Sequence, residues 1–108
     1  MKSTVWISYD LGIRGDFGSL YAWLDKHKGK ECGDSLAVLN YEYTGDLRTE
    51  LSEELSKLVA ENKRARIYVI YRDSVTNKNK GAFLVGHRKG APWEGYGPQP
   101  NGATDEEL

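Results

Sequence analysis

Three ionisable residues stand where apolar runs begin or end. Asp10 sits near the close of TVWISYDL, Asp34 precedes Ser35 at the opening of SLAVLNYEY, and Arg66 opens RIYVIYR. A carboxylate pair such as Asp10 and Asp34 can hold a hydrated magnesium or manganese ion against a phosphodiester, and an arginine beside it offsets the charge that develops on the phosphate. Arg14 and Asp16 lie in the loop that follows Asp10 and belong to the same neighbourhood. The same residues have a plainer use. Asp and Ser are ordinary residues of turns and strand ends, and Asp10 with Arg66 is equally a surface ion pair. Both readings require a fold that brings these positions to one place.

The elements that must do so are legible in the spacing of apolar residues. In Thr4 to Leu11, Val5, Ile7 and Tyr9 alternate with Trp6, Ser8 and Asp10, the period of a strand. Asp16 is a candidate cap for a helix carrying Phe17, Leu20, Tyr21 and Leu24 on one stripe and ending at Gly29. The Gly33-Asp34 pair separates a short strand near Cys32 from a longer one that starts at Ser35. Asp46 caps a second helix striped by Leu47, Leu51, Leu55, Leu58 and Val59, with Asn62 at its end. Arg66 to Arg72 is a strand by its β-branched and aromatic content, TNKNKG a turn, and Ala82 to His87 one further strand. This order, βαββαβ with an added C-terminal strand, predicts an α+β ferredoxin-like sandwich, an antiparallel sheet with both helices on one face. In that topology the end of the first strand lies beside the starts of the strands at Ser35 and Arg66, so Asp10, Asp34, Ser35 and Arg66 are expected at one end of the sheet.

Composition narrows the function classes. A chain of 108 residues has room for one domain, here 1–89, followed by a Gly/Pro-rich segment, 90–108, expected to dock in part through Trp93 and Tyr96 and to end in a mobile acidic stretch. Cys32 is the sole cysteine, so the chain forms neither an internal disulfide nor a cysteine-rich zinc site. With no N-terminal signal pattern and no apolar run approaching ~18 residues, the expected setting is a reducing cytoplasm, with no membrane span. The net charge of −1 argues against binding nucleic acid by bulk electrostatics, although without Asp105, Glu106 and Glu107 the remainder carries +2. Basic residues collect at Lys63, Arg64 and Arg66 and again at Lys78, Lys80, His87, Arg88 and Lys89. Gly12, Gly15 and Gly18 follow a strand and precede a helix, but the spacing lacks the Lys-Ser or Lys-Thr of a phosphate loop. His27, beside Lys26 and Lys28, suits the negative end of a helix and needs no catalytic role.

The string ISYDLG, an amphipathic helix, the Gly-Asp-Ser step into a strand, a Leu-striped helix and RIYVIYR together resemble the small CRISPR-associated endoribonucleases and their relatives, the virulence-associated protein D and SinR-like groups. The resemblance spans about Val5 to Arg72. It implies a ferredoxin-like homodimer with an aspartate at the end of the first strand, at the two-fold interface, where active members bind a divalent metal. Asp10 takes that position in this sequence, and Ser35 in the Asp-Ser step is the second catalytic position the resemblance implies. Arg14 and Arg66 are then the residues expected to meet nucleic acid. The chain departs from the pattern in one respect: active members carry an arginine-rich stretch just after the first strand, and here only Arg14 precedes DFGSLYAW. Two functions therefore stand side by side, a metal-dependent nuclease and a dimeric binding or scaffold module without chemistry.

One feature of the predicted sheet bears on both. With the helices on one face, Trp6, Tyr68 and Ile70 fall on the other, beside Ser8, Asp10, Arg66 and Arg72. That much apolar surface is expected to be covered, most economically by a second copy of the same chain.

Overall fold

The computed structural model of the protein describes residues 1–13 and 15–98. Arg14 and the acidic end at Asp105, Glu106 and Glu107 lie outside the described residues. The elements are β1 (Lys2–Asp10), α1 (Gly18–Lys26), β2 (Lys30–Gly33), β3 (Leu36–Glu42), α2 (Leu47–Leu58), β4 (Arg66–Asp73) and β5 (Lys78–Val85). They form the predicted α+β sandwich. The sheet has the order β2-β3-β1-β4-β5 and every pairing is antiparallel.

Alternation along the strands decides which face is covered. Val5, Ile7 and Tyr9 of β1, Ala37, Leu39 and Tyr41 of β3, and Ile67, Val69 and Tyr71 of β4 are buried in one cluster with Leu20, Trp23 and Leu24 of α1 and Leu47, Leu51 and Leu55 of α2. Both helices thus occupy the same side of the sheet. The intervening residues face away from them: Trp6 pairs across the sheet with Val38 on one side and Ile70 on the other, Ser8 with Leu36 and Tyr68, and Asp10 with Arg66.

The helix starts differ in an instructive way. Asp46 caps α2 as its position predicts, its carboxylate accepting from the Thr49 amide at 3.0 Å, and Glu50 reaches back to accept from the Gly45 amide at 2.7 Å. Asp16 does not cap α1. Its carboxylate accepts from the Gly18 amide at 2.8 Å, two residues on, and Phe17 holds the cap position without a side-chain bond. Asp16 therefore closes a local turn that ends where the helix begins.

The last strand is displaced from the expected Ala82 to His87: it ends at Val85, with His87 beyond it, and begins earlier. It starts at Lys78, because Asp73 pairs with Lys78 across a tight turn in which Asn77 adopts φ 56°. Lys80 reaches the Asp73 carboxylate at 2.9 Å, which fixes the register from the polar side. A register shift opposite Ile67 and Tyr68 lets both Leu84 and Val85 pack on the core while Phe83 stays on the open face.

On the helix side one polar knot ties three elements together. Glu54 of α2 accepts from the Trp23 indole at 2.9 Å and from the Tyr41 hydroxyl, and His27 stacks at 4.1 Å on Trp23 with its Nε2 4.0 Å from Glu54. His27 joins this knot from the end of α1. Burial, followed by the bond to Glu54, pushes the Tyr41 phenol well above its ordinary range.

Candidate functional site

Asp10 is the last residue of β1 and points to the face without helices. Its two carboxylate oxygens are already engaged: Oδ2 accepts from Arg66 Nη2 at 3.0 Å and Oδ1 from the Gly12 amide at 3.1 Å. The Arg66 bond, then the Gly12 amide, hold the Asp10 carboxyl below its ordinary pKa, and Lys89 adds to the effect. The side chain of Asp10 is 50% exposed and that of Arg66 26%, so the pair borders solvent. An ion pair of this kind contributes ~0.2–1 kcal/mol and serves mainly to orient the two groups.

The other positions expected at this end are arranged differently. Ser35 lies in the turn between β2 and β3 and meets β1 through its backbone, its carbonyl accepting from the Tyr9 amide at 3.0 Å. Asp34 lies in the same turn; the Tyr9 phenol, on the helix side of the sheet, is raised in pKa by burial and then by Tyr21, with Glu31 and Asp34 the smallest contributors. Asp10 and Arg66 are thus in direct contact, with Asp34 and Ser35 in a neighbouring turn. Among the described residues no group of three or more His, Cys, Asp or Glu is disposed to hold a metal ion. In the free chain the Asp10 carboxylate is held by a guanidinium rather than by further carboxylates.

Arg66 joins Asp10 to features that the sequence did not place together. Tyr68 and Phe83 meet edge to face at 4.9 Å on the open side of β4 and β5. The Arg66 guanidinium stands 5.9 Å from the Phe83 ring, and that of Arg88 stands 5.6 Å from Phe83 and 5.8 Å from Tyr68. Ser8, Asp10, Arg66, Tyr68, Phe83 and Arg88 line a cavity of about 340 Å³. Gly81 makes room for the Tyr68 phenol, since any Cβ there would collide with it.

On the other flank of Arg66, at the end of the sheet, Lys63, Arg64, His87 and Lys89 surround a second cavity of about 390 Å³. Gly86 closes its floor with φ +73°, and a Cβ at this position would lie 2.7 Å from the Ala65 carbonyl. The signal that finds this cluster is topological: β4 and β5 form a hairpin, so residues just before Arg66 and just after Val85 must meet. The same hairpin sends Lys78 and Lys80 to the opposite end.

No family model, no curated protein and no solved structure matches this chain.

Proposed function

We propose that this protein works as a homodimeric binding module of the type its sequence resembles, two copies pairing through the sheet faces that carry no helix. One observation carries the reading. Trp6 and Ile70, direct neighbours across β1 and β4, are 40% and 42% exposed on that face. Leu36, Val38, Tyr68 and Phe83 surround them, half-buried, with the Arg88 guanidinium over Tyr68 and Phe83. Trp93 and Tyr96, at 73% and 87% exposed, are further aromatic surface that a second copy would receive. A two-fold arrangement buries one patch twice with a single set of residues. Nucleic acid is the partner that the resemblance and the arginines suggest. A reducing cytoplasmic setting suits the exposed free thiol of Cys32, and no helix among the described residues is long and apolar enough to cross a membrane.

Light scattering on a purified sample at tens of micromolar tests the pairing. The expected mass is twice the 12.2 kDa of the chain; a mass of one chain across that range overturns it.

A metal-dependent nuclease is the second reading, and the place of Asp10 favours it: a half-exposed carboxylate at the end of the central strand, on the face where a second copy would bring its own Asp10. The chemistry requires the cation, Mg2+ or Mn2+, to take the place of Arg66 on that carboxylate, with Asp34 and Ser35 as the remaining candidate groups. Cleavage of short RNA or DNA that depends on the metal and is lost in Asp10→Ala, while the dimer and the fold persist, supports this reading. Absence of cleavage of both nucleic acids with both metals leaves the binding module alone.

A further inference from the structure

The two cavities that share Arg66 differ in chemistry. The one at the end of the sheet is lined by Lys63, Arg64, Arg66, His87 and Lys89 with only Ala65 and Gly86 between them, and no carboxylate forms part of its wall. The one on the open face offers the Tyr68–Phe83 pair, two guanidinium groups, the Ser8 hydroxyl and, paired with Arg66, the Asp10 carboxylate. The first is a site for a compact anion, because several cations held around one concavity bind most strongly a group that presents charge and acceptors on all sides, as a phosphate does. The second is a site for a flat aromatic group, because an aromatic surface flanked by planar guanidinium groups is what a nucleobase stacks on. Each has the size of a small-ligand site, about 300 Å³ or more.

Arg66 also carries an unanswered donor. Among the described residues its Nε is the buried side-chain polar atom without a hydrogen-bond partner, while its Nη2 is given to Asp10. Buried donors of this kind are uncommon, and this one sits in the wall between the two cavities.

We propose that the two cavities form one composite site for a nucleoside phosphate, its phosphate among Lys63, Arg64, His87 and Lys89, its base against Tyr68 and Phe83, and Arg66 between. The inference does not rest on the dimer reading, although the base cavity shares Tyr68 and Phe83 with the face proposed to pair. The phosphate cavity lies at the end of the sheet, and the base cavity lies one side-chain repeat along β4 from the Trp6–Ile70 centre of the apolar face. The same chemistry arises from a free nucleotide or from the phosphorylated end of a strand.

Titration calorimetry of the full chain with inorganic phosphate, adenosine, adenosine 5′-monophosphate and an oligoadenylate bearing a 5′-phosphate or a 5′-hydroxyl tests it. The monophosphate is expected to bind roughly tenfold or more tightly than either phosphate or adenosine, the gain that a stacked base brings. Replacing Lys63 and Lys89 together by Ala, both exposed, should abolish binding of phosphate and the monophosphate alike. Phe83→Leu should remove the advantage of the monophosphate while leaving inorganic phosphate bound as before. Melting curves of each variant, superimposable on the parent, show that the fold is intact. A 5′-phosphorylated strand that binds more tightly than the mononucleotide and than its 5′-hydroxyl counterpart assigns the site to strand ends; equal affinity for mononucleotide and strand assigns it to free nucleotides. Equal binding of phosphate and monophosphate, insensitivity to the paired lysine change, or no binding of any probe overturns the proposal. Because pairing would cover Tyr68 and Phe83, the titrations are repeated on the monomeric Trp6→Lys protein: binding there supports this site whatever the mass of the parent, and no binding by either form removes it.

Discussion

Replacing Trp6 by Lys tests the apolar face most directly. Trp6 is 40% exposed on the sheet face that carries no helix. An aromatic side chain buries ~150–250 Å² when fully covered, so a partner removes up to ~100 Å² more from water, ~2 kcal/mol per copy at ~25 cal/mol per Å². A two-fold interface counts the residue twice, so its loss weakens association by ~4 kcal/mol, about three decades in Kd. Desolvating a lysine in the same place adds to the effect. A dimer with a micromolar Kd would become a monomer at any practical concentration. Sedimentation velocity over a hundredfold range of concentration provides the measurement, with Val75→Lys as the control. Val75 is 89% exposed in the β4–β5 turn, so that change adds the same charge away from the face. The expected result is a monomeric Trp6→Lys and a Val75→Lys indistinguishable from the parent. A Trp6→Lys protein that dimerises as the parent does would refute the assignment of this face.

Two further outcomes follow from the polar contacts. Glu54→Ala leaves the Trp23 indole and the Tyr41 hydroxyl, on residues only 7% and 1% exposed, without their acceptor. With Glu54 itself half open to water the loss is ~2–4 kcal/mol, a fall in Tm of roughly 10–20 °C for a chain of this size, and Glu54→Gln should recover part of it; a change below a few degrees in thermal denaturation contradicts the role given to the knot. Acid should destabilise the fold through four carboxyls whose folded-state pKa is depressed: Asp10 by Arg66, Asp46 by Thr49, Glu50 by the Gly45 amide, and Asp73 by Lys80 and then Thr76, the last to about 2. Groups depressed on folding stabilise above their unfolded values near ~4 and lose that contribution as protons bind, so Tm should hold from neutral pH to about 5 and fall steeply between about 4 and 2. A Tm that is flat through that interval would show that these contacts do not persist in solution.

Much of this architecture could be read from the sequence because local and global signals agree. The alternation of Val5, Ile7 and Tyr9 with Trp6, Ser8 and Asp10 assigned faces before any partner strand was known, and Asp46 ahead of the stripe of Leu47, Leu51 and Leu55 marked the start of α2. Where local signals compete, the sequence is less decisive. Asp16 is as good a cap as Asp46 by type, yet Gly18 takes its carboxylate in a shorter turn and the helix begins without it. The start of β5 was hidden because Lys78, Asn79 and Lys80 are poor strand formers. They are held by pairing with β4 and by the bridge to Asp73, which are tertiary interactions. At the site, backbone topology predicted that Asp10 would meet Arg66. It did not predict where the Asp34 side chain would act, because a turn reorients side chains that the strand period would place.

Arg66 is shared among more roles than one guanidinium can fill at once. It bonds Asp10, stands over Phe83 and walls both cavities. A phosphate drawn to it competes with the Asp10 carboxylate for the same N–H groups, and the carboxylate also repels the incoming anion. The coupling is reciprocal: whatever Asp10 gains from Arg66 in the free protein, a phosphate must overcome. Asp10→Asn removes the charge while keeping the shape, so it should raise the affinity for adenosine 5′-monophosphate by up to about fivefold, the limit an exposed ion pair of ~0.2–1 kcal/mol allows. The gain should shrink as salt rises, because the repulsion it relieves is screened. If Asp10→Asn instead weakens the nucleotide, Asp10 acts by holding Arg66 in a binding posture, and the competition argued here is wrong.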